Sequence, residues 1–257
     1  MTLASILIYP IKALDPVRMQ SARITAGGIL EFDRVWALRG LDGKFICGKS
    51  TEAIHKVRAR FMLPGNFVTL SWGSETEEFT FRLGDEDDAI AGWLERRLGQ
   101  PVRFDADPVR GFPDDTEAFG PTVVSEATLD AVASWFPGIS RDEMIRRFRP
   151  NLIVAGVPAF WEDRLYTATG SISFRIGDVV LSGQNPCARC VVPTREPLSG
   201  DALPQFMKTF IERRERTLPP WAAKARFDHY YRLSVNTTIG SDEAGKAVRV
   251  GDAVAIM

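Results

Sequence analysis

The chain predicts a mainly β fold with a few helices, an α+β arrangement in two halves, and three observations carry that expectation. Short alternating or β-branched segments bounded by Gly, Pro and Asp recur along its length. Helical periodicity is confined to a few stretches. Between them, Pro101 to Pro121 is rich in Asp, Pro and Gly without a period, so it reads as the boundary region, with residues 1–105 and 106–257 as the two domains.

In the first half, strands are expected at Leu3 to Tyr9, Arg18 to Thr25, Val35 to Leu38, Phe67 to Ser71 and Glu78 to Leu83, the pattern of an antiparallel sheet closing on itself. DEDDAIAGWLERRLG then places Ile90, Trp93, Leu94 and Leu98 on one helical stripe. Its acidic first turn and basic last turn suit the helix dipole, and Gly99 stops it. In the second half, SEATLDAVASWFPG predicts a helix capped by Ser125 and stopped at Pro137 and Gly138. Strands are expected at Leu152 to Ala155, Ser171 to Ile176, Val179 to Gly183, Tyr230 to Val235 and Val254 to Met257, with a further helix near Leu203 to Arg214.

The 257 residues are 45% apolar, enough for a sizeable core, and 32 basic residues nearly cancel 33 acidic ones. That balance argues against an extended nucleic-acid face and against a polybasic membrane anchor. No apolar run approaches the roughly 20 residues of a membrane helix. The N-terminus lacks the basic start and cleavage site of a secretory signal. Three cysteines, an odd number, suggest no disulfide framework, so a reducing, cytoplasmic setting is expected.

The stretch NPCARCVVPTR, Asn185 to Arg195, places two thiols on a segment that is not helical. Three chemistries could use them. Structural zinc needs four ligands, and Cys47, His55 and His229 are scattered. A thioredoxin-like pair needs a helix N-terminus, which Val191, Val192 and Pro193 oppose. A single thiolate could instead ligate a soft metal otherwise held by a cofactor. Such a cofactor needs an anion pocket, for which RRFRPN offers Arg149 and Asn151 at a strand entry, while Arg146 and Arg147 read as a solvated face. GSDEAGKA has phosphate-loop spacing, but Ala247 stands where a hydroxyl is needed and a strand follows, so it reads as a turn. His55 and His229 are isolated and read as structural, and no nucleophile elbow is present.

Taken together, VVSEATLDAV, FRPNLIV, IGDVVL, NPCARCVVPTREPLSG and VRVGDAVAIM resemble a MOSC domain, the C-terminal domain type of molybdenum cofactor sulfurases. YPIKAL, GGILEFDRVWAL and DGKFICGKS resemble the β-barrel domain that precedes MOSC in the mitochondrial amidoxime-reducing component and its bacterial relatives. The resemblance implies an N-terminal β-barrel-like domain packed on a MOSC β-barrel domain, with a molybdenum cofactor held between them. It implies Cys190 as the molybdenum ligand at the catalytic centre, with Cys187 as a supporting partner. Lys12, Arg34, Arg149 and Asn151 would bind the pterin phosphate, and Ser125, Arg189 and Thr194 complete the implied cofactor-binding set. Ala13 and Ala188 stand where the family carries serines.

The activity so implied is reduction of small N-hydroxylated compounds, with electrons from an external flavin, iron-sulfur or haem protein. Some bacterial relatives carry a C-terminal ferredoxin-like domain, which is not expected here because the chain ends at Met257 with no spare cysteines for a cluster. Glu196 is a candidate general acid. The alternative is a sulfur or cofactor carrier in which Cys190 holds a persulfide.

Overall fold

The computed structural model describes all residues 1–257. Its first half contains β1 (Thr2–Ile8), β2 (Val17–Met19), β3 (Ser21–Arg23), β4 (Trp36–Arg39), β5 (Val57–Met62), β6 (Phe67–Trp72), β7 (Phe79–Arg82), α1 (Asp87–Leu98) and β8 (Arg103–Ala106). The second half contains β9 (Val123–Ser125), α2 (Glu126–Ala133), α3 (Arg141–Phe148), β10 (Leu152–Ala155), β11 (Ile172–Ile176), β12 (Val179–Ala188), α4 (Phe206–Arg216), β13 (Arg232–Ile239), β14 (Ala247–Arg249) and β15 (Val254–Ile256).

The mainly β expectation holds. An eight-stranded sheet runs β15-β11-β12-β13-β9-β10-β1-β2, antiparallel throughout except for the β9–β10 pair. It curls until Thr2 bridges Ala253, but the ladder does not continue there, so the sheet stays open. The first half adds the meander β5-β6-β7 and the pair β4-β8, and β3 pairs with β14. Strand β1 thus lies in the second half's sheet, paired with β10 from Thr2↔Ala155 to Ile6↔Leu152 with a register shift between Leu3 and Ser5.

Side-chain alternation explains why the central strands read as continuous apolar runs. Ile6, Ile8, Val123, Leu152 and Val154 enter one core, while Leu7, Tyr9, Val124 and Ile153 face a second core with Phe148, Phe206 and Phe210 from the helices. A strand buried on both faces needs no polar alternation. The third core, under β4 to β7 and α1, begins at Ile11, so residues 9 to 12 step from one core to another.

Helix boundaries follow local chemistry. Ser125 accepts the Thr128 N–H at 3.1 Å and caps α2, and Gly99 takes a left-handed φ of 67° after α1. Helix α2 ends at Ala133, before Pro137, and α4 starts at Phe206 rather than Leu203. The segment expected as one strand from Arg18 to Thr25 breaks at Gln20, because β2 and β3 pair in different sheets. Helix α3 and strands β5, β8 and β9 lie outside the expected elements, while β14 falls where a strand was expected after the GSDEAGKA turn.

Behind the sheet lies a buried polar cluster. The Asp163 carboxylate pairs with the Arg214 guanidinium and accepts the Tyr166 hydroxyl at 2.9 Å. Beside it, Glu162 accepts the Thr128 hydroxyl at 3.0 Å and the Ser125 N–H at 3.3 Å, while its Oε1 has no partner. Burial pushes the Glu162 carboxyl up to about 7, and Asp163 acts in the same direction. A carboxyl raised above its unfolded value holds a proton in the folded state that the unfolded chain has lost. Its contribution is fully present below the unfolded value of 4.5 and fades as pH rises to about 7. Urea unfolding at stepped pH should therefore show about 3 kcal/mol of stability lost across that window, with the loss much reduced in Glu162→Gln.

Candidate functional site

A cavity of about 670 Å³ opens where the two halves meet. Its walls carry Lys12, Arg34, Arg149, Asn151, Arg189 and Cys190 from the expected set, together with Cys47 and Cys187, so all three thiols face one space.

Backbone pairing holds the first-half cations. The Lys12 N–H donates to the Trp36 carbonyl at 2.7 Å, the Trp36 N–H to Pro10 at 3.0 Å, and the Arg34 N–H to Tyr9 at 2.8 Å. Arg34 takes a left-handed φ of 53°, which turns its side chain away from the line of β4. The Lys12 ammonium donates to the Asp114 carboxylate at 2.7 Å and to the Phe112 carbonyl at 2.8 Å. Burial lowers the Lys12 ammonium below its usual range, and Asp114 opposes that. For Arg34, burial pulls downward, but Asp33 and Asp114 outweigh it and the net direction is up. Burial disfavours the charged Asp114 too, yet Lys12 and Arg34 hold its carboxyl well below the ordinary carboxylate range.

Arg149 comes from the opposite half. It ends α3 in a left-handed conformation, φ 52°, and its guanidinium lies 4.2 Å from the centre of the Tyr9 ring. Arg34 lies 5.0 Å from the same centre. Arg34 has its partner in Asp33; Arg149 has no carboxylate, and its Nη2 is buried without any partner. Burial lowers the Arg149 guanidinium, and the nearby Arg34 charge adds to that. Burial also pushes the Tyr9 phenol up to about 12, against the two guanidiniums.

Asn151 is almost fully buried and ties these parts together. Its Oδ1 accepts from Arg34 and from the Thr122 N–H, both at 3.2 Å, while its Nδ2 donates to the Leu7 carbonyl at 3.0 Å. These bonds make it a holder of Arg34 and of the β1–β10 junction.

The cysteine loop begins where β12 ends. Strand β12 shifts register against β13 between Gly183 and Asn185 and again between Pro186 and Ala188, and Ser234 opposite takes φ 66°. These irregularities, with the strand end at Ala188, bring Asn185 and every residue from Cys187 to Cys190 onto the cavity wall, where strict alternation would bring every second one. The Arg189 guanidinium donates to Cys187 Sγ at 3.0 Å and to the Phe148 carbonyl. Thr194 and Pro193 form a short 3-10 turn rather than a helix.

Three expected residues lie away from the cavity. Ser125 is fully buried as the α2 cap, where its hydroxyl meets Thr128 at 2.8 Å. Thr194 donates to the Val191 carbonyl at 2.7 Å and faces a shallow groove beside α4. Glu196 accepts the Leu198 N–H at 2.8 Å within its own turn. Arg147 also corrects the expectation of a solvated face: it is buried, donates to the Pro193 carbonyl at 2.8 Å, and pairs with Glu143 at 2.6 Å. Helical phase, had α3 been recognised, separates Arg147 from exposed Arg146.

Sequence reasoning passed over Tyr9, Asp33 and Asp114, set Cys47 aside as a scattered thiol, and read His55 as structural. His55 lines the cavity, and its buried Nε2 stands 2.6 Å from where a Cβ on Gly48 would sit. Burial lowers its imidazole, as do Arg149, Arg195 and Arg58, so it is neutral near pH 7. No helix is long and apolar enough to cross a membrane.

Residues 117–255 match the MOSC domain family and residues 1–84 the MOSC N-terminal beta barrel domain. The chain belongs to the MOSC domain family. It is 26% identical over 232 residues to mitochondrial amidoxime-reducing component 1 of Danio rerio, covering 76% of this chain and 69% of the relative. The human protein of that name is 25% identical over 241 residues, 77% of this chain and 67% of the relative. Molybdenum cofactor sulfurase of Drosophila mojavensis is 22% identical over 286 residues, 99% of this chain but 34% of the relative. The chain thus spans about a third of that sulfurase's length.

A partly buried cation with no counter-charge and a buried, unpartnered Nη2 should destabilise the cofactor-free protein. Arg149→Met is expected to raise its urea-unfolding stability by about 1 to 3 kcal/mol, because it removes the charge and keeps most of the packing. Unchanged or lower stability would mean that the protein alone already satisfies this guanidinium.

Proposed function

We propose that this chain binds a molybdenum cofactor and acts as an oxidoreductase that reduces N-hydroxylated compounds, with electrons from a separate reductase. The observation that carries this reading is Arg149, a partly buried cation with no carboxylate and with its Nη2 buried and unpartnered, in the same cavity as Cys190. The relatives named for amidoxime reduction and for molybdenum cofactor support the cofactor class.

The donor set fits such a cofactor. Its phosphate would give Arg149 the anion it lacks, with bidentate geometry open to a guanidinium. Its soft metal would take one protein thiolate, for which Cys190 at the end of the strand is the candidate. Lys12 and Arg34, each committed to a carboxylate, would contribute field and orientation, and Asn151 would fix Arg34 in place. When bound, the molybdenum centre supplies two-electron chemistry with oxygen transfer.

The chain's own residues do the rest. Arg147, bonded to the Pro193 carbonyl, braces the loop behind Cys190 so that its sulfur keeps one direction. Arg189 occupies the Cys187 sulfur with a charge-assisted hydrogen bond, which distinguishes the two thiols and leaves Cys190 as the open donor. Neutral His55 at the wall offers one donor and one acceptor nitrogen and adds no further cation at rest.

Protein from molybdate-supplied cells should carry near-stoichiometric molybdenum and reduce an N-hydroxylated amidine with a chemical reductant. Cys190→Ser should lose most of the metal, and Cys187→Ser should keep most of it. Loss of metal in Cys187→Ser instead would overturn the ligand choice. A persulfide on Cys190 without molybdenum would replace the reading with that of a sulfur carrier.

A further inference from the structure

The cavity wall holds far more positive charge than its fold uses. Twelve lysine and arginine side chains line it against four aspartates. Six of the twelve, including Lys12 and Arg34, are ion-paired to a carboxylate within 4.0 Å. The other six have none. Among these, Arg226 is spent on the Thr167, Gly170 and Gln184 carbonyls, and Arg149 is the partly buried cation assigned above to the cofactor phosphate. That phosphate brings about two negative charges, which one partly buried guanidinium and its neighbours answer. Arg189 is bonded to Cys187 and to the Phe148 carbonyl, so Lys49, Arg110 and Arg146 remain, and all three are exposed.

Two of these surplus cations flank the cysteine loop from opposite halves of the chain. Exposed Lys49 follows Gly48, whose Cβ position lies 3.1 Å from Val192 Cγ2. Exposed Arg146 precedes Arg147, which is bonded to the Pro193 carbonyl. Both line the cavity, and each adjoins a residue that lies against the stretch just after Cys190. Cations around a cleft with low-dielectric walls focus their field into it and raise the local concentration of anions.

We infer that the substrate taken up beside Cys190 carries its own negative charge, a carboxylate on an N-hydroxylated compound, and that Lys49 and Arg146 select it. This rests on the reductase reading and deepens it by naming the substrate class. The neutral part enters the cavity while the carboxylate stays between the two rim cations. An acidic docking protein is the competing use of the same charges.

The test has one arm that needs no turnover. With cofactor-loaded protein at low ionic strength, calorimetry compares benzoate with benzamide, and steady-state kinetics compares a neutral arylamidoxime with its para-carboxylate. The charged member of each pair should bind or show a lower KM by about fivefold, and high salt should erase the advantage. Lys49→Ala with Arg146→Ala should cut the preference to near unity, while circular dichroism reports that the fold is kept. Equal affinities for charged and neutral members, or a preference unmoved by the double change, would overturn the inference. So would a double change that weakens only turnover driven by a protein donor, which would assign the rim to docking. If no arylamidoxime is reduced, the reductase reading fails by itself, and the calorimetric preference still decides whether the mouth selects anions.

Discussion

Two guanidinium groups share the ring of Tyr9, and only one of them has a carboxylate. Arg34 reaches it from the turn before β4, paired with Asp33, and Arg149 reaches it from the end of α3 with no counter-charge. Like charges held at one ring in a buried wall repel and lose hydration, so the arrangement is costly unless something anionic joins them. The aromatic face offsets part of that cost. The unmet remainder is the observation on which the proposed anion site rests.

Everything that aims these two cations depends on the chain crossing between cores at residues 9 to 12. Strand β1 belongs to the eight-stranded sheet, and by Ile11 the chain has entered the core under β4 to β7. The crossing puts Tyr9, Lys12 and, through backbone pairing, Arg34 at the seam. Asn151 then locks that seam to β10, since the same side chain serves Leu7, Arg34 and Thr122. Aiming these cations and docking the halves are in this sense one structural problem. The cysteine loop solves its own part by irregularity: bulged pairing at Pro186 and a left-handed Ser234 turn consecutive residues towards one wall.

Much of this was legible in the residues. Strands buried on both faces announced themselves as apolar runs, as at Leu152 to Ala155, which coincides with β10. Caps at Ser125 and Gly99 marked the neighbouring helix ends because their chemistry is local. Helix α3 was hidden because its sequence, RDEMIRRF, carries few apolar residues and was read for its charges, so buried Arg147 and exposed Arg146 looked alike. Short strands β8 and β9 contain too few residues to display a period. At the site, cations and thiols could be named from motif resemblance, but Ser125 and Thr194 show its limit: a motif residue can serve a cap or a turn and never face the ligand. Asp114 lies in a segment without a pattern, and only the fold brings it, with Cys47, to the cavity.

The most direct measurement is diffraction from the cofactor-loaded protein at energies on either side of the molybdenum absorption edge. The account predicts one anomalous peak bonded to Cys190 Sγ, with phosphate density against the Arg149 guanidinium. A molybdenum peak on another sulfur, or a phosphate that leaves Arg149 bare, would contradict it.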